Sequence, residues 1–547
     1  MKENLQCVLV THKAAKKRQG DAYGTSGIFL SDGWILSHGT LLSLPFDDSS
    51  DRDLQSFLID IQEKHDRDLL VVPRDLSQTL KLQLQYNRLS NNTDEKSRVM
   101  EKVIIEDKNC SLRIIWRCSL LHQTFNSLNS WSFEKVDKFD KSLLSIFLLL
   151  KVESGTEIRA DDIAEGKKVL SDFYKRHLTD SRIPLRRGML VEMEATPFGN
   201  ATFLDSVSRG IVSNVFGAED CVILTDANAL PGCEGAPLFT FRHPDREVER
   251  QICGIVIAPL SWCRGEWVDY TFAANLRPCL EEVLRVSDMS VALPSFGSYI
   301  NDDDDQGLEE QLLPVSLDKS LVIVKRDFGW GTGIVVDVST GTILTCSHVV
   351  PLPLGSRVKV GLFEDEQRKK GEKMKAEKAW AWTRLVYRTC NNQPYDVAVL
   401  RLESQRNDLR PLSLAPKIPS KGTRVMTLGF PFFGAAIPAS CSRGVISHHS
   451  SCMIQTTCCV QGGASGGPVI NCDTGEMIGL IVSNVVSTTE SGALYPRFNM
   501  AVPSTVIREP LIRYIYTGDV KCLDSLSSGD PMVWETWNFN LTPRSKM

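Results

Sequence analysis

The chain has 547 residues, of which 24% are charged, with a formal net charge of −5 and a pI near 6.1. That length exceeds what one hydrophobic core organises, so several domains or two large β domains are expected. The weak negative charge offers no electrostatic footprint for nucleic acid or an anionic membrane, and neither is expected as a partner.

The first twenty residues, MKENLQCVLVTHKAAKKRQG, carry no apolar stretch of signal-peptide length and no small-residue cleavage site, so export is not expected. The most apolar run, Leu143 to Leu150, is less than half a bilayer span and reads as a buried strand, with no membrane span implied. Sixteen cysteines are spread thinly along the chain and are expected to be reduced thiols. No Cys-x-x-Cys pair occurs, and the Cys458-Cys459 and His448-His449 doublets lack metal-site spacing, so neither metal nor cofactor is expected.

In chain order, YGTSGIFLSDGWILSH alternates apolar and polar residues between turn formers, which predicts β-hairpins. Residues 49–108 turn polar and charged and read as a long surface insertion, partly helical around Asp53 to His65. Strand-like runs resume at Ser111 to Cys118 and Leu143 to Val152. The halves then repeat one another. GMLVEMEATPFGNA from Gly188 matches GTRVMTLGFPFFGA from Gly422, and SRGIVSN from Ser208 matches SRGVISH from Ser442, both at an offset of 234 residues. GCEGAP at Gly232 to Pro237 aligns with GASGGP at Gly463 to Pro468, and GIFLSDGWIL from Gly27 with GIVVDVSTGTIL from Gly333. The chain is therefore a tandem duplication of one β-rich unit. The copies are residues 1–285 and 321–517, joined by a segment, 286–320, whose acidic run Asp302 to Asp305 reads as a solvated linker. A tail, 518–547, is too short for another globular module.

The second copy carries a set of residues with chemical meaning. A serine hydroxyl becomes a nucleophile only when an imidazole accepts its proton, and the imidazole needs a carboxylate to fix its tautomer. Only His348, His448 and His449 precede Ser465 in this copy, and His348 ends the strand-like run GTILTCSHVV. Asp396 opens the apolar run DVAVLRL. Ser465 lies in QGGASGGPVIN, where small residues let the backbone amides of Gly463 and Ser465 point at one developing oxyanion. His348, Asp396 and Ser465 thus form a candidate triad in the order base, acid, nucleophile.

TCSHVV, YDVAVLRL and GASGGPVIN resemble the motifs of trypsin-like serine proteases, most closely the Deg/HtrA branch, over Leu321 to Tyr516. The resemblance implies an all-β fold, a tandem duplication of the trypsin-like double β-barrel with the first copy degenerate and the second catalytic. In the first copy Glu234 stands at the serine position and Ile146 at the aspartate position; the histidine position is Thr40 without a gap or His38 with one. The resemblance further implies that Ser483, Asn484 and Val485 pair with the substrate backbone, and that Cys459, six residues before the nucleophile, floors a neutral specificity pocket. Ala464 stands where digestive relatives carry an aspartate, so activation by a newly cut N-terminus is not expected, and there is no room for a PDZ module.

The last three residues, Ser545-Lys546-Met547, match an SKL-type peroxisomal address read by an import receptor. Together these features resemble the leader-processing proteases of peroxisomes and glyoxysomes. That resemblance implies a peroxisomal matrix enzyme that trims leaders from imported enzymes such as thiolase and processes others such as acyl-CoA oxidase. It also implies cuts near cysteine and self-processing, with Cys110 and Cys118 the candidate positions. A broad-specificity quality-control protease and a non-catalytic duplicated binding scaffold are the alternatives, and a homo-oligomer is compatible with any of these readings.

Overall fold

A computed structural model describes residues 5–12, 24–43, 56–58, 61, 68–88, 104–128, 131–132, 142–153, 162–179, 185–241, 250–259, 261–263, 266–284, 313–326, 329–350, 353–362, 379–390, 393–431, 438–486, 494–527 and 529–537. The chain divides into two compact units, Met1–Asp302 and Asp303–Met547. The division falls inside the segment expected to be a linker.

Each unit holds two six-stranded antiparallel barrels. In the first barrel Gln6–His12, Gly24–Phe29, Trp34–His38, Ile146–Val152, Ile104–Arg117 and Leu82–Arg88 pair in that order, and the last closes on the first. The second barrel runs Leu190–Ala195, Ser206–Phe216, Val222–Thr225, Thr271–Asn275, Arg250–Ala258 and Pro237–Phe241. The second unit repeats both circuits. Its first barrel is Leu321–Arg326, Gly329–Asp337, Thr342–Thr345, Ala398–Leu402, Ala379–Arg388 and Arg357–Leu362; its second is Arg424–Gly429, Ser440–His449, Ile454–Thr456, Leu494–Pro503, Met477–Val486 and Pro468–Asn471. In every barrel the strands close in the order one, two, three, six, five, four. Closure removes the exposed strand edges that an open sheet would leave. Side chains alternate between an apolar interior, such as Val8, Val10, Ile35, Leu84, Leu112 and Leu148 in the first barrel, and the outer surface.

One expectation needs correction. The stretch 49–108 is not only a surface insertion, because Leu82–Arg88 is a barrel strand, paired on one side with Gln6–His12 and on the other with Ile104–Arg117. Leu58, Ile61, Val72, Leu76 and Leu80 from the same stretch are buried in that barrel's core. The polar half of LQLQYNR points outward, which disguised a strand as a loop. The tail, too short for a globular module of its own, contributes two short elements. A 3-10 segment, Val520–Leu526, and a helix, Pro531–Trp537, pack on the second unit: Trp537 donates to the Cys452 carbonyl at 3.0 Å and meets Tyr395 edge-on at 6.1 Å.

Candidate active site

The strand Thr342–Thr345 runs into a short 3-10 turn, Ser347–Val349, which places His348 at the surface while Cys346 and Val349 stay buried. Ser347 anchors the turn by donating to the Thr389 carbonyl at 2.6 Å. Asp396 precedes the neighbouring strand Ala398–Leu402, whose Ala398 pairs with Thr345, and so arrives beside the turn. Its carboxylate makes two contacts with one residue: Oδ1 accepts from the His348 backbone amide at 3.0 Å, and Oδ2 lies 2.5 Å from His348 Nδ1. The side chains are 49% and 22% exposed, leaving the imidazole open to solvent on its far edge. Cys346 sits behind this pair and donates to the Ile481 carbonyl at 3.1 Å. Burial, reinforced by the Asp396 charge, pushes its thiol well above the ordinary range.

Ser465 belongs to the other barrel of the same unit, in a turn held by three hydrogen bonds, two of them from Thr332 of the first barrel and one within its own barrel. The Thr332 amide donates to the Ser465 carbonyl at 2.9 Å, the Thr332 hydroxyl to the Gly463 carbonyl at 2.7 Å, and the Gly466 amide to the Ile481 carbonyl at 2.8 Å. Gly331 marks the closeness of the approach: a Cβ there would lie 2.7 Å from Val349 and 2.9 Å from the Ser465 oxygen. A Cβ on Gly466 would likewise lie 3.1 Å from the Cys346 nitrogen. The turn therefore rests against the segment that carries His348. Gly463 adopts φ +94°, which turns its amide away from the ladder. The amides of Ala464, Gly466 and Gly467 are all bonded to carbonyls, whereas those of Gly463 and Ser465 have no acceptor among the described residues. Two such N–H groups beside one serine are the donors that a cradle for negative charge requires.

The strand Met477–Val486 pairs with Leu494–Pro503 through Val486, but with Pro468–Asn471 only as far as Leu480. Beyond Ile481 its other edge pairs with no described strand, so the backbone of Ser483, Asn484 and Val485 is available for β-addition. Cys459 is buried; its amide donates to Ser442 Oγ at 2.8 Å and its sulfur accepts from Gln461 Nε2 at 3.3 Å. Ser545, Lys546 and Met547 lie outside the described residues. Cys110 sits inside a strand paired on both sides, with Leu82 and Val152, and Cys118 is fully buried. A protease takes its substrate as an accessible extended strand, so the folded first unit does not present either position for cleavage.

The first unit repeats the backbone bonds of the serine turn. The Ser26 amide donates to the Glu234 carbonyl at 2.8 Å, Gly235 to Val256 at 2.8 Å and Ala236 to Cys233 at 3.0 Å, with φ +93° at Gly232. Strand register settles the correspondence. Ser37 pairs with Leu148 as Thr345 pairs with Ala398, so counting two back from Leu148 puts Ile146 where Asp396 stands. Counting three forward from Ser37 puts Thr40 at the position of His348, and His38 falls at that of Cys346. His38 is fully buried between Thr40 Oγ1 and the Leu144 carbonyl, each at 3.1 Å, and burial lowers its pKa to about 4. Glu234 turns its carboxylate onto the Gly232 amide at 2.7 Å, filling with its own side chain the cradle that Gly463 leaves open. The hydroxyls that fasten these turns, Thr332 and Ser26, went unremarked in the sequence, although each immediately precedes the repeated Gly-Ile of its copy.

Residues 331–480, within the second unit, match the family model described as a trypsin-like peptidase domain, in keeping with its paired barrels. The chain is 31% identical over 368 residues to the peroxisomal leader peptide-processing protease of Mus musculus and 32% identical over 383 residues to that of Homo sapiens. Each alignment covers 64% of this chain and 61% of the relative, so the chain matches about three fifths of their length. Among solved structures it is similar to the serine endoprotease of Yersinia pestis, at 20% identity, 38% of this chain, 67% of that one and a TM-score of 0.30. It is also similar to Deg5, at 22% identity, 39% and 97% coverage and a TM-score of 0.29.

Proposed function

We propose that the chain is a serine endopeptidase of the peroxisome that removes leader peptides from imported proteins. The observation that carries this reading is the His348–Asp396 pair lying against a serine turn whose Gly463 and Ser465 amides have no acceptor among the described residues. Asp396 holds the imidazole with its proton on Nδ1, so Nε2 carries the lone pair. Nε2 takes the Ser465 proton as Oγ attacks the scissile carbonyl, and the oxyanion is stabilised by the amides of Gly463 and Ser465. His348 then gives its proton to the leaving amine, and water hydrolyses the acyl-enzyme by the same steps in reverse roles. The substrate backbone adds to the free edge at Ser483 to Val485, and Cys459 gives the pocket a neutral floor, which suits cuts near cysteine or other small side chains.

The names of the mouse and human relatives support the compartment and the substrate class. Leader-bearing matrix enzymes such as thiolase and acyl-CoA oxidase are the proposed substrates, and an import receptor reading Ser545 to Met547 is the proposed partner. Self-processing is proposed to require local opening of the first unit. A fluorophosphonate probe should label wild-type protein and not Ser465→Ala, and wild type alone should cut a leader-bearing substrate while sparing its leader-free form. A well-folded wild type that resists the probe refutes the enzyme, and equal cutting of both substrates favours the quality-control reading.

A further inference from the structure

We propose that Cys346, His348 and Asp396 form an inhibitory site for a thiophilic divalent cation, with Zn2+ the fitting ion. The proposal rests on the peptidase reading for its consequence but not for the site itself. One donor atom from each of the three residues lies within 4.8 Å of the other two. A sulfur, an imidazole nitrogen and a carboxylate oxygen are the donor types that tetrahedral Zn2+ takes, at about 2.0 to 2.3 Å, which spaces neighbouring donors roughly 3.3 to 3.8 Å apart. Nδ1 and Oδ2, now 2.5 Å apart, must part to admit the ion, side-chain adjustments on the order of 1 Å fit all three donors to it, and the fourth position stays open to water. The entry path is the imidazole, whose side chain is 49% exposed, whereas Cys346 is fully buried behind it and would hold the ion from the protein side. Nothing in the spacing of the chain announced this group, because Asp396 is brought to Cys346 and His348 only by the pairing of Ala398 with Thr345.

The consequence follows from the imidazole's two nitrogens. In the working state the single ring proton is on Nδ1, facing Asp396, and Nε2 is the base. A cation bonded to Nδ1 takes the place of that proton, which moves to Nε2; the Cys346 thiol releases its proton to solvent as the metal–sulfur bond forms. Nε2 is then a donor and has no lone pair for the Ser465 proton. The enzyme is switched off without any change at the nucleophile, and a chelator restores it.

The test uses the full chain. Cd2+ added to Ser465→Ala protein should produce a sulfur-to-metal charge-transfer absorption that is absent in Cys346→Ala. Zn2+ should slow fluorophosphonate labelling of wild type by at least about tenfold, reversibly with a chelator, and Cys346→Ala, labelled at the metal-free wild-type rate, should need at least about tenfold more Zn2+ for the same effect. Cys346→Ser, which keeps the size of the side chain and replaces the soft donor with a hard one, should behave like Cys346→Ala if the latter packs poorly. No Cd2+ absorption, or equal Zn2+ sensitivity in wild type and both variants, overturns the site. A Cd2+ signal in protein whose metal-free form never labels leaves the metal site standing and removes the peptidase reading instead.

Discussion

Replacing Asp396 by asparagine should disable the site while leaving its shape intact. The carboxylate accepts twice from His348, at the backbone amide and at Nδ1. An amide side chain has one acceptor and one donor end. With its oxygen on the His348 amide, the NH2 group must donate to Nδ1, which forces the ring proton onto Nε2 and removes the base. Turned the other way, the NH2 group faces the His348 N–H, donor against donor. The first arrangement retains both contacts and should prevail, so the protein should melt close to wild type. Loss of the correct tautomer in a serine triad costs about ten-thousandfold in rate, or about 5.5 kcal/mol of barrier. The rate of fluorophosphonate labelling measures it directly, alongside a thermal melt. Labelling of Asp396→Asn within about tenfold of wild type, with an unchanged melt, refutes the role assigned to this pair.

The two serine turns allow a paired test. A Cβ on Gly463 would lie 2.3 Å from the Phe430 oxygen, and one on Gly232 would lie 2.3 Å from the Gly199 nitrogen, both at strongly positive φ. Gly463→Ala and Gly232→Ala should each cost about 2 kcal/mol or more in denaturant unfolding, but only Gly463→Ala should also abolish labelling of Ser465. The first unit should also lose stability in acid. Burial lowers the pKa of His12 and His38 from 6.5 to about 4, so the folded unit refuses protons that the unfolded chain accepts between those values. The stabilisation is complete above about pH 6.5 and is lost as pH falls to 4, at most about 3 kcal/mol for each histidine. Urea transitions followed by pulsed hydrogen exchange on peptides from residues 5–43 should move to lower urea between pH 7 and pH 5, and His38→Gln should flatten that dependence.

What the sequence disclosed and what it hid divide along a physical line. Turn chemistry was legible: glycines that need positive φ recur in both copies, and GCEGAP against GASGGP exposed the duplication before any strand was seen. The candidate pair was legible because His348 sits where one apolar run ends and Asp396 where another begins. Whether Thr40 or His38 stood at the histidine position was not, since an alignment can place a gap anywhere. Strand register cannot, and it put His38 in the core. Leu82–Arg88 was missed because a barrel strand with one wet face has the composition of a loop. The nearness of Cys346 to Asp396 and the bond from Glu234 to Gly232 depend on side-chain positions that no linear pattern encodes.

That last bond sets how many changes the first unit would need to hold a triad. Restoring a serine at position 234 removes the carboxylate from the Gly232 amide and gains no reactivity while Thr40 and Ile146 remain. Placing histidine or aspartate first gains nothing while Glu234 fills the cradle. The two serine turns thus share one backbone and differ in what their side chains do: Glu234 bonds the Gly232 amide of its own turn, whereas the Gly463 amide has no acceptor among the described residues.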